Sequence, residues 1–374
     1  MRFILISVLL AVSLSTSACD LNRAGDTLPD TIHVGVAVPL TGPVGSIGQT
    51  MQTSLVLARE EMNRTHFRAN PLAFIIEDSQ SNPDAAGAAY ERLIQQDQVT
   101  MLIGPATSSS TQAAFPVAQA NRVVALSPTA AAAGLGEIGT YVFLANLSVD
   151  AVIPGGVRLT QERLGYQRVA LVTDTEDLFS VSAAEVLNDA FAANSLNVVA
   201  SETIGSADTG FGAQLAAIAA TNPDAVFIST LPGQVPGILT QARAAGITAQ
   251  FIIPLAFSSD EATAAGDAAE GVITFSTWTA EANTPGNADF VRRYTERTGV
   301  APNRFAAQWY AAVEILSEAI LQAQSVRPGP VREAMAGLTD ISTILGPFSF
   351  GPDGEAIYDP IIRMVQDGTL VVFD

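Results

Sequence analysis

The sequence contains no lysine, because all 18 of its basic residues are arginines. A lysine is needed for the phosphate-binding P-loop and for Schiff-base chemistry, so both are excluded. The 37 acidic residues give the chain a formal net charge of −19. Nucleic acid is not an expected partner, since binding it requires clustered basic residues that neutralise phosphates.

Cysteine and histidine are almost as scarce, with one cysteine and two histidines in 374 residues. His33 stands at the start of a strand pattern and His66 near the end of a helix pattern, so a shared site is not expected. Too few ligands remain for a zinc cluster, and no nucleophile stands with a matching base. We therefore expect a protein that is not an enzyme and that holds no metal and no cofactor.

No hydrophobic run is long enough to cross a membrane. The longest, from Phe3 to Leu14, falls short of the roughly 20 apolar residues that a bilayer requires. It follows one arginine and precedes small residues, which is typical of a signal peptide over residues 1–19. The polar residues 20–30 form a predicted tether.

The only cysteine, Cys19, directly follows those small residues. The segment Thr16-Ser17-Ala18-Cys19 resembles the lipid-attachment box of bacterial lipoproteins, with Thr16 in the place usually taken by leucine. We expect lipid on Cys19, which would anchor the exported protein to a membrane through more than one acyl chain. The alternative is simple cleavage after Ala18, which leaves a free thiol.

What the sequence does contain is an alternation of β-branched runs and alanine-rich helical stretches. Hydrophobic residues make up 48% and charged residues 15%, so two sizeable cores are possible. The first series predicts strands at 31–38, 72–78, 99–104 and 122–127, with helices at 47–63, 83–96 and 109–120. The second predicts strands at 168–174, 197–203, 225–230, 249–254 and 271–276, with helices at 149–163, 179–193, 210–220, 234–245 and 259–268. Helices at 287–298 and 303–325 and a strand-rich end complete the chain. Repeated strand–helix units predict an α/β fold of two Rossmann-like lobes with parallel sheets.

Five consecutive hydroxyl residues, 107–111, follow the strand that ends in "MLIG" and open the next helix. Ligands of open α/β sheets bind beyond the carboxyl ends of the strands, where the N–H groups and dipole of a helix start attract an anion. A carboxylate is the ligand that this arrangement predicts. The alternative is ordinary helix capping, which needs only one hydroxyl.

Two other strand ends carry similar loops. "VPLTGPVGSIGQ" (38–49) and "ALSPTAAAAGL" (125–135) are rich in glycine, proline or hydroxyl residues. Because the carboxyl ends of parallel strands share one edge of a sheet, the three loops predict a single rim that binds a small molecule.

These loops, with "EDSQSNPDAAGAAYERLI", "QARAAGITAQFI" and "GDAAEGVITFSTW", make the chain resemble the type I periplasmic binding proteins of ABC importers for branched-chain amino acids. The resemblance covers nearly the whole chain after the signal. It implies two lobes, joined by three crossovers, that close on a small ligand like a flytrap. It also implies a monomer that works with an ABC permease in the membrane. Lobe 1 would be residues 31–148 plus 279–359, and lobe 2 residues 149–278 plus 360–374.

The resemblance also implies the residues that bind the ligand in lobe 1. The ligand carboxylate would meet Ser108 and the helix start at Ser109, with Ser109–Thr111 partly capping the helix. In the next loop the family has a Thr or Ser two residues after an Ala, whereas this chain has Thr129 in the Ala position and Ala131 in the hydroxyl position. The backbone N–H of Ala131 remains, and Thr129 would substitute for the missing hydroxyl.

The remaining wall positions are more apolar than those of a standard leucine site. They are Ile47, Leu178, Leu231, Leu255 and Phe305. Leu255 stands where amino-acid binders of the family place the acid that pairs with the ligand ammonium. A buried ammonium without a counter-charge is costly, so either Glu176 or Asp177 replaces that acid or the ligand carries no ammonium.

Two ligand hypotheses follow from these departures. In the first, a hydrophobic, branched-chain-type amino acid binds with its ammonium at Glu176 or Asp177. In the second, the ligand is a hydrophobic or aromatic carboxylate that lacks an amino group. A ligand sensor of the amide- or urea-responsive kind is a further alternative, because the fold alone does not separate transport from sensing.

Overall fold

The computed structural model describes residues 28–373, which begin inside the predicted tether. The predicted signal peptide and Cys19 therefore lie outside the described residues. Among the residues described, no helix combines the length and the hydrophobicity that crossing a membrane requires.

The elements lie close to where the sequence predicts them. In chain order the strands are β1 (Ile32–Val38), β2 (Leu72–Asp78), β3 (Met101–Ile103), β4 (Val124–Ser127), β5 (Val142–Leu144), β6 (Arg168–Asp174), β7 (Asn197–Ile204), β8 (Ala225–Ser229), β9 (Gln250–Ile252), β10 (Ile273–Ser276), β11 (Ile341–Thr343), β12 (Gly346–Phe350), β13 (Ala356–Ile357), β14 (Ile361–Gln366) and β15 (Thr369–Val372). The α-helices are α1 (Gly45–Thr65), α2 (Pro83–Gln95), α3 (Ser108–Asn121), α4 (Val149–Leu164), α5 (Leu178–Ala193), α6 (Gly212–Thr221), α7 (Val235–Ala244), α8 (Ser259–Ala265), α9 (Asn287–Thr298), α10 (Arg304–Ala323) and α11 (Pro328–Ala336).

Five parallel strands form the first sheet, in the order β2-β1-β3-β4-β5. Alternate residues of β1 point to opposite faces, as the pleat of a strand requires. Val34, Val36 and Val38 belong to the core that contains α1 and α10, whereas Ala37 belongs to the core under α2 and α3. Helices on both faces explain why the strand is hydrophobic throughout.

Seven strands form the second sheet, in the order β15-β14-β10-β9-β8-β6-β7. The strands from β10 to β7 pair in parallel, and β14 and β15 add an antiparallel pair at the β10 edge. The late strands of the chain therefore return to this lobe.

The chain passes between the two sheets three times, after β5, after β10 and after β13, as the sequence predicts. Between the second and third passages, α10 packs on α1, and α11 packs on α10. A small antiparallel sheet, β11-β12-β13, is joined to β5 by a bridge between Leu144 and Glu355.

Candidate functional site

A cavity lies between the lobes, where loops that follow strands of the two sheets face each other. It is open to solvent, and the space between its walls, solvent included, measures about 490 Å³. The predicted binding residues that line it are Ile47, Ser108, Thr129, Ala131, Leu231, Leu255 and Phe305. The predicted residues outside its wall are Ser109, Glu176, Asp177 and Leu178. Among the described residues, none of those in the wall is an aspartate or a glutamate.

Glycine lets the lobe 1 loops meet closely at this edge. Gly104, directly after β3, has a φ of +101°, and a Cβ at this position would lie 2.0 Å from the carbonyl oxygen of Ala37. The turn after β3 can therefore approach the end of β1 only because residue 104 has no side chain.

Asp78 braces the loop after β1 from the end of β2. Its carboxylate accepts hydrogen bonds from Leu40 N at 2.9 Å, from the Thr41 hydroxyl at 2.6 Å and from Gln80 N at 2.8 Å. Partial burial raises the pKa of Asp78, but these hydrogen bonds outweigh burial, so the pKa lies below its ordinary value. Asp78 therefore holds the loop after β1 against the end of β2.

The hydroxyl row at the start of α3 divides into separate roles. Thr107 is the N-cap, and its hydroxyl accepts from Ser110 N at 3.3 Å. The expectation that Ser109–Thr111 partly cap the helix is therefore wrong, because α3 begins earlier, at Ser108. Thr111 is fully buried, and its hydroxyl contacts that of Ser127 at 3.3 Å, inside lobe 1.

Ser108 joins the loop that follows β3 to the loop that follows β4. Its hydroxyl oxygen accepts backbone hydrogen bonds from Ala131 and Ala132, both at 3.1 Å. With both lone pairs used, the hydroxyl has only its proton left to offer, so it faces the cavity as a donor. The N–H of Ala131, expected from the sequence to be available to the ligand, is already taken by Ser108.

Thr129 lines the cavity, but its hydroxyl is also held by the protein. The hydroxyl donates to the carbonyl of Ala106 at 2.8 Å and accepts from the Trp309 indole at 3.4 Å. Its neighbour in the wall, Asn146, donates to the carbonyl of Thr129 at 3.1 Å. These hydrogen bonds therefore fix the conformation of the loop that follows β4.

Lobe 2 supplies a hydrophobic wall. Leu231 and Leu255 line the cavity, and so does Phe179 rather than its neighbour Leu178. Leu178 packs instead against the core under α2 and α3 of lobe 1. Leu255 is 1% exposed and has a φ of +59°, which is unfavourable for a leucine and marks a constrained turn after β9.

Glu176 and Asp177 line a wider outer pocket next to the cavity. Glu176 accepts from Ser206 N at 2.9 Å. Asp177 is the N-cap of α5, and one of its oxygens accepts from the N–H and hydroxyl of Ser180, at 3.0 and 2.9 Å. Its other oxygen accepts from the Ser109 hydroxyl of lobe 1 at 3.1 Å. Burial raises the pKa of Asp177, although these hydrogen bonds oppose that effect.

Arg304, the first residue of α10, also lines the cavity and was not identified from the sequence. Its side chain is buried, and the guanidinium carbon lies 3.9 Å from the centre of the Phe305 ring. A signal was present, because a cation at a helix N-terminus opposes the helix dipole. Such a residue calls for an explanation other than helix stability.

No group of His, Cys, Asp and Glu within residues 28–373 is arranged to hold a metal ion. The wall instead combines a hydroxyl donor, a buried cation and hydrophobic side chains. This combination suits a small organic anion.

Comparisons with known proteins agree with this architecture. A family model described as periplasmic binding protein matches residues 31–369. A leucine-, isoleucine-, valine-, threonine- and alanine-binding protein of Pseudomonas aeruginosa is 26% identical over 329 residues, which cover 87% of each chain.

Solved structures share the fold at lower identity. The isoleucine complex of a branched-chain amino acid transporter substrate binding protein from Streptococcus pneumoniae has a TM-score of 0.85 at 22% identity, covering 91% of this chain and 97% of that one. The 3,4-dihydroxybenzoic acid complex of an ABC transporter solute binding protein from Rhodopseudomonas palustris has a TM-score of 0.84 at 23% identity, covering 91% and 95%. The chain therefore belongs to the periplasmic binding protein family, in the type I group of the branched-chain amino acid binders.

Proposed function

We propose that this protein is the solute receptor of an ABC importer and that its ligand is a hydrophobic carboxylate without an amino group. The observation that carries the proposal is the polarity of the cavity wall. Ser108 can only donate, and no described residue of the wall carries a carboxylate. Such a wall offers partners to an anion and no acid to an ammonium group.

The two acids expected to pair with an ammonium group have other partners. Asp177 caps α5 and accepts from Ser109, and Glu176 accepts from Ser206. Both line the outer pocket rather than the cavity. Burying an ammonium group in the cavity would therefore leave it without a counter-charge, at a cost of several kcal/mol.

Relatives support both ligand classes. The Streptococcus pneumoniae protein binds isoleucine, whereas one Rhodopseudomonas palustris protein binds 3,4-dihydroxybenzoic acid and another binds benzoate. A branched-chain-type amino acid is thus the second candidate, favoured by the curated relatives. The hydrophobic wall formed by Phe179, Leu231 and Leu255 suits the side chain of either class.

The remaining parts of the proposal concern export and partners. We propose that residues 1–19 direct export, that lipid on Cys19 anchors the chain, and that residues 20–30 tether the receptor near an ABC permease. Lobe 1 comprises residues 31–148 plus 279–359, and lobe 2 residues 149–278 plus 360–374. The receptor works as a monomer without catalysis, cofactor or nucleic acid.

A thermal-shift and calorimetry panel on the exported chain tests the ligand class. Each hydrophobic amino acid is paired with its deaminated acid, such as leucine with 4-methylvalerate and phenylalanine with phenylpropionate, and benzoate is added. A ligand that binds only the folded state raises the melting temperature. We expect the plain acids to stabilise the protein more than the amino acids do. Stabilisation by the amino acids alone would overturn the proposed ligand class, and stimulation of a reconstituted permease ATPase would separate transport from sensing.

A further inference from the structure

We propose that Arg304 is the residue that selects a carboxylate, by pairing its guanidinium with the ligand anion from the α10 side of the cavity while Ser108 donates from lobe 1. This inference rests on the proposed function and deepens it.

The hydrogen bonds of Arg304 leave part of the guanidinium available. Nη1 donates to the side chain of Gln308 at 3.2 Å. Nε is enclosed and has no hydrogen-bond partner among the described residues, and Nη2 makes no hydrogen bond to them either. Because the side chain is only 6% exposed, water contributes little to satisfying these donors. A ligand carboxylate in the cavity would supply an acceptor for Nη2, whereas Nε is enclosed by the protein and stays out of its reach.

The acid that acts on Arg304, Glu261, leaves the guanidinium free to bind a ligand. The Glu261 carboxylate acts on it electrostatically from α8, but Glu261 makes no hydrogen bond to the guanidinium. One Glu261 oxygen instead accepts from the N–H and hydroxyl of Ser258, at 2.8 and 2.6 Å, in the cap of α8. Burial lowers the pKa of Arg304 to about 10, so the side chain stays charged at neutral pH.

The position of Arg304 in its helix argues against a purely structural role. Asn303 caps α10 by accepting from Ala306 N at 2.9 Å, so the helix start is already satisfied without an arginine. A positive charge in the first turn is unfavourable to the helix dipole. An anion bound at this end would relieve that repulsion and satisfy the guanidinium together.

The experiment compares each acid with its neutral amide, for example 4-methylvalerate with 4-methylvaleramide and benzoate with benzamide. We expect the wild type to prefer the acid by about a hundredfold, and Arg304→Gln to reduce that preference to about tenfold or less. Arg304→Lys, which keeps the charge without the planar fork, should give an intermediate ratio. Arg363→Gln is the matched control, because Arg363 is a largely buried arginine of a neighbouring pocket that does not line the cavity.

The ratio of acid to amide affinity separates selection from folding. If Arg304→Gln weakens acid and amide by the same factor, the residue is structural and the inference is overturned, whatever the melting temperature. If the wild type binds acids and Arg304→Gln keeps the full preference, the inference fails and the proposed function stands. If the wild type binds only amino acids, the proposed function fails, and the same comparison with leucine and leucinamide decides the role of Arg304.

Discussion

Neighbouring hydroxyl groups at the start of α3 make different contacts because successive residues of a helix point about 100° apart. Ser108 faces the cavity, Ser109 reaches across to lobe 2, and Thr111 points into lobe 1. Thr107, just before the helix, caps it. A row that looks uniform in sequence therefore lines the cavity, contacts the other lobe, packs in the core and caps the helix.

We predict that Ser108→Ala weakens ligand binding by tenfold or more. The change removes the donor and leaves two backbone N–H groups without an acceptor, and one such hydrogen bond contributes about 1–3 kcal/mol. Isothermal titration with the best acid of the panel measures the loss. Ser110→Ala on the same helical turn is the control, because its buried hydroxyl has no partner to lose. Equal effects of the two substitutions would contradict the role of Ser108.

We predict that Leu255→Glu shifts the preference of the cavity from plain acids towards amino acids. The new carboxylate would stand in the hydrophobic wall, where an ammonium group could pair with it and repay its burial. Leu255→Gln is the control of similar shape without the charge. The affinities of leucine and 4-methylvalerate are compared in both variants. An unchanged ratio in Leu255→Glu would mean that residue 255 does not face the amino group.

At this scale the sequence indicates which loops form the site better than which atoms do the binding. Ser108, Leu231, Leu255 and Phe305 could be placed at the cavity because the resemblance to the family implies these positions. The engagement of the Ala131 N–H could not be predicted, since it depends on a contact between two loops. Leu178 was expected at the cavity, but the next residue, Phe179, lines it. A sequence does not fix the first residue of a helix to better than one or two positions, so it does not show which of the two side chains points inward.

At the scale of elements, the first turns of α3 and α5 meet across the cleft. Ser109 donates to Asp177 at 3.1 Å and accepts from Leu178 N at 3.2 Å. Farther along α5, the Ser182 hydroxyl accepts from Ala133 N at 3.0 Å. The Asp177 carboxylate thus lies between two helix N-termini, whose dipoles both favour a negative charge.

We predict that Ser109→Ala lowers ligand affinity about threefold to tenfold, although Ser109 does not line the cavity. The substitution removes hydrogen bonds between the lobes, which shifts the population away from the closed state. Titration gives the affinity, and small-angle scattering gives the closed fraction. Ser206→Ala removes a hydroxyl–carboxylate bond within lobe 2, to Asp174 at 2.6 Å, and should leave both values unchanged. A similar loss in both variants would argue against a contact specific to closure.

We predict that Asp78 contributes stability that is lost in acid. Its pKa is lower in the folded chain than the ordinary 3.8, so its contribution is present above that value and disappears as the pH falls through the folded pKa. Melting temperatures are measured from neutral pH to below 3.8 for the wild type and Asp78→Asn. The difference between them should shrink towards the acid end. Glu91→Gln on the exposed face of α2 is the control. A difference in melting temperature between the wild type and Asp78→Asn that stays constant with pH would contradict the prediction.

Most elements could be predicted because hydrophobic periodicity and strand–helix alternation are local signals. The two exceptions have local causes. β5 is only three residues long and follows an irregular segment, and α11 begins with Pro328-Gly329-Pro330, which reads as a turn. Proline is nevertheless compatible with the first turn of a helix, where its missing N–H costs nothing.

At the scale of the whole molecule, α10 connects the cavity to the crossover segments between the lobes. Gln308 is fully buried, and its side-chain N–H₂ donates to Asn146 in the first crossover and to Thr277 in the second, the latter at 2.9 Å. Its oxygen accepts from Arg304. A ligand bound at Arg304 would therefore act on both crossovers through one side chain.

We predict that Gln308→Leu lowers the melting temperature by several degrees and increases the open fraction. The substitution leaves Asn146 and Thr277 buried without this partner, which costs about 1–3 kcal/mol. Scanning calorimetry and small-angle scattering with and without ligand make the measurement. Gln322→Leu, on the exposed side of the same helix, should change neither quantity. If the melting temperature changes but the open fraction does not, Gln308 does not affect the balance between open and closed states.

β14 and β15 form one edge of the second sheet, although the chain reaches them only after it has left that sheet at β10 and formed α9, α10 and α11. The first sheet likewise depends on α10, which covers one of its faces and lies far along the chain from the strands of that sheet. Each lobe therefore completes its core with segments that are distant in sequence from its first strand, and such long-range contacts slow folding.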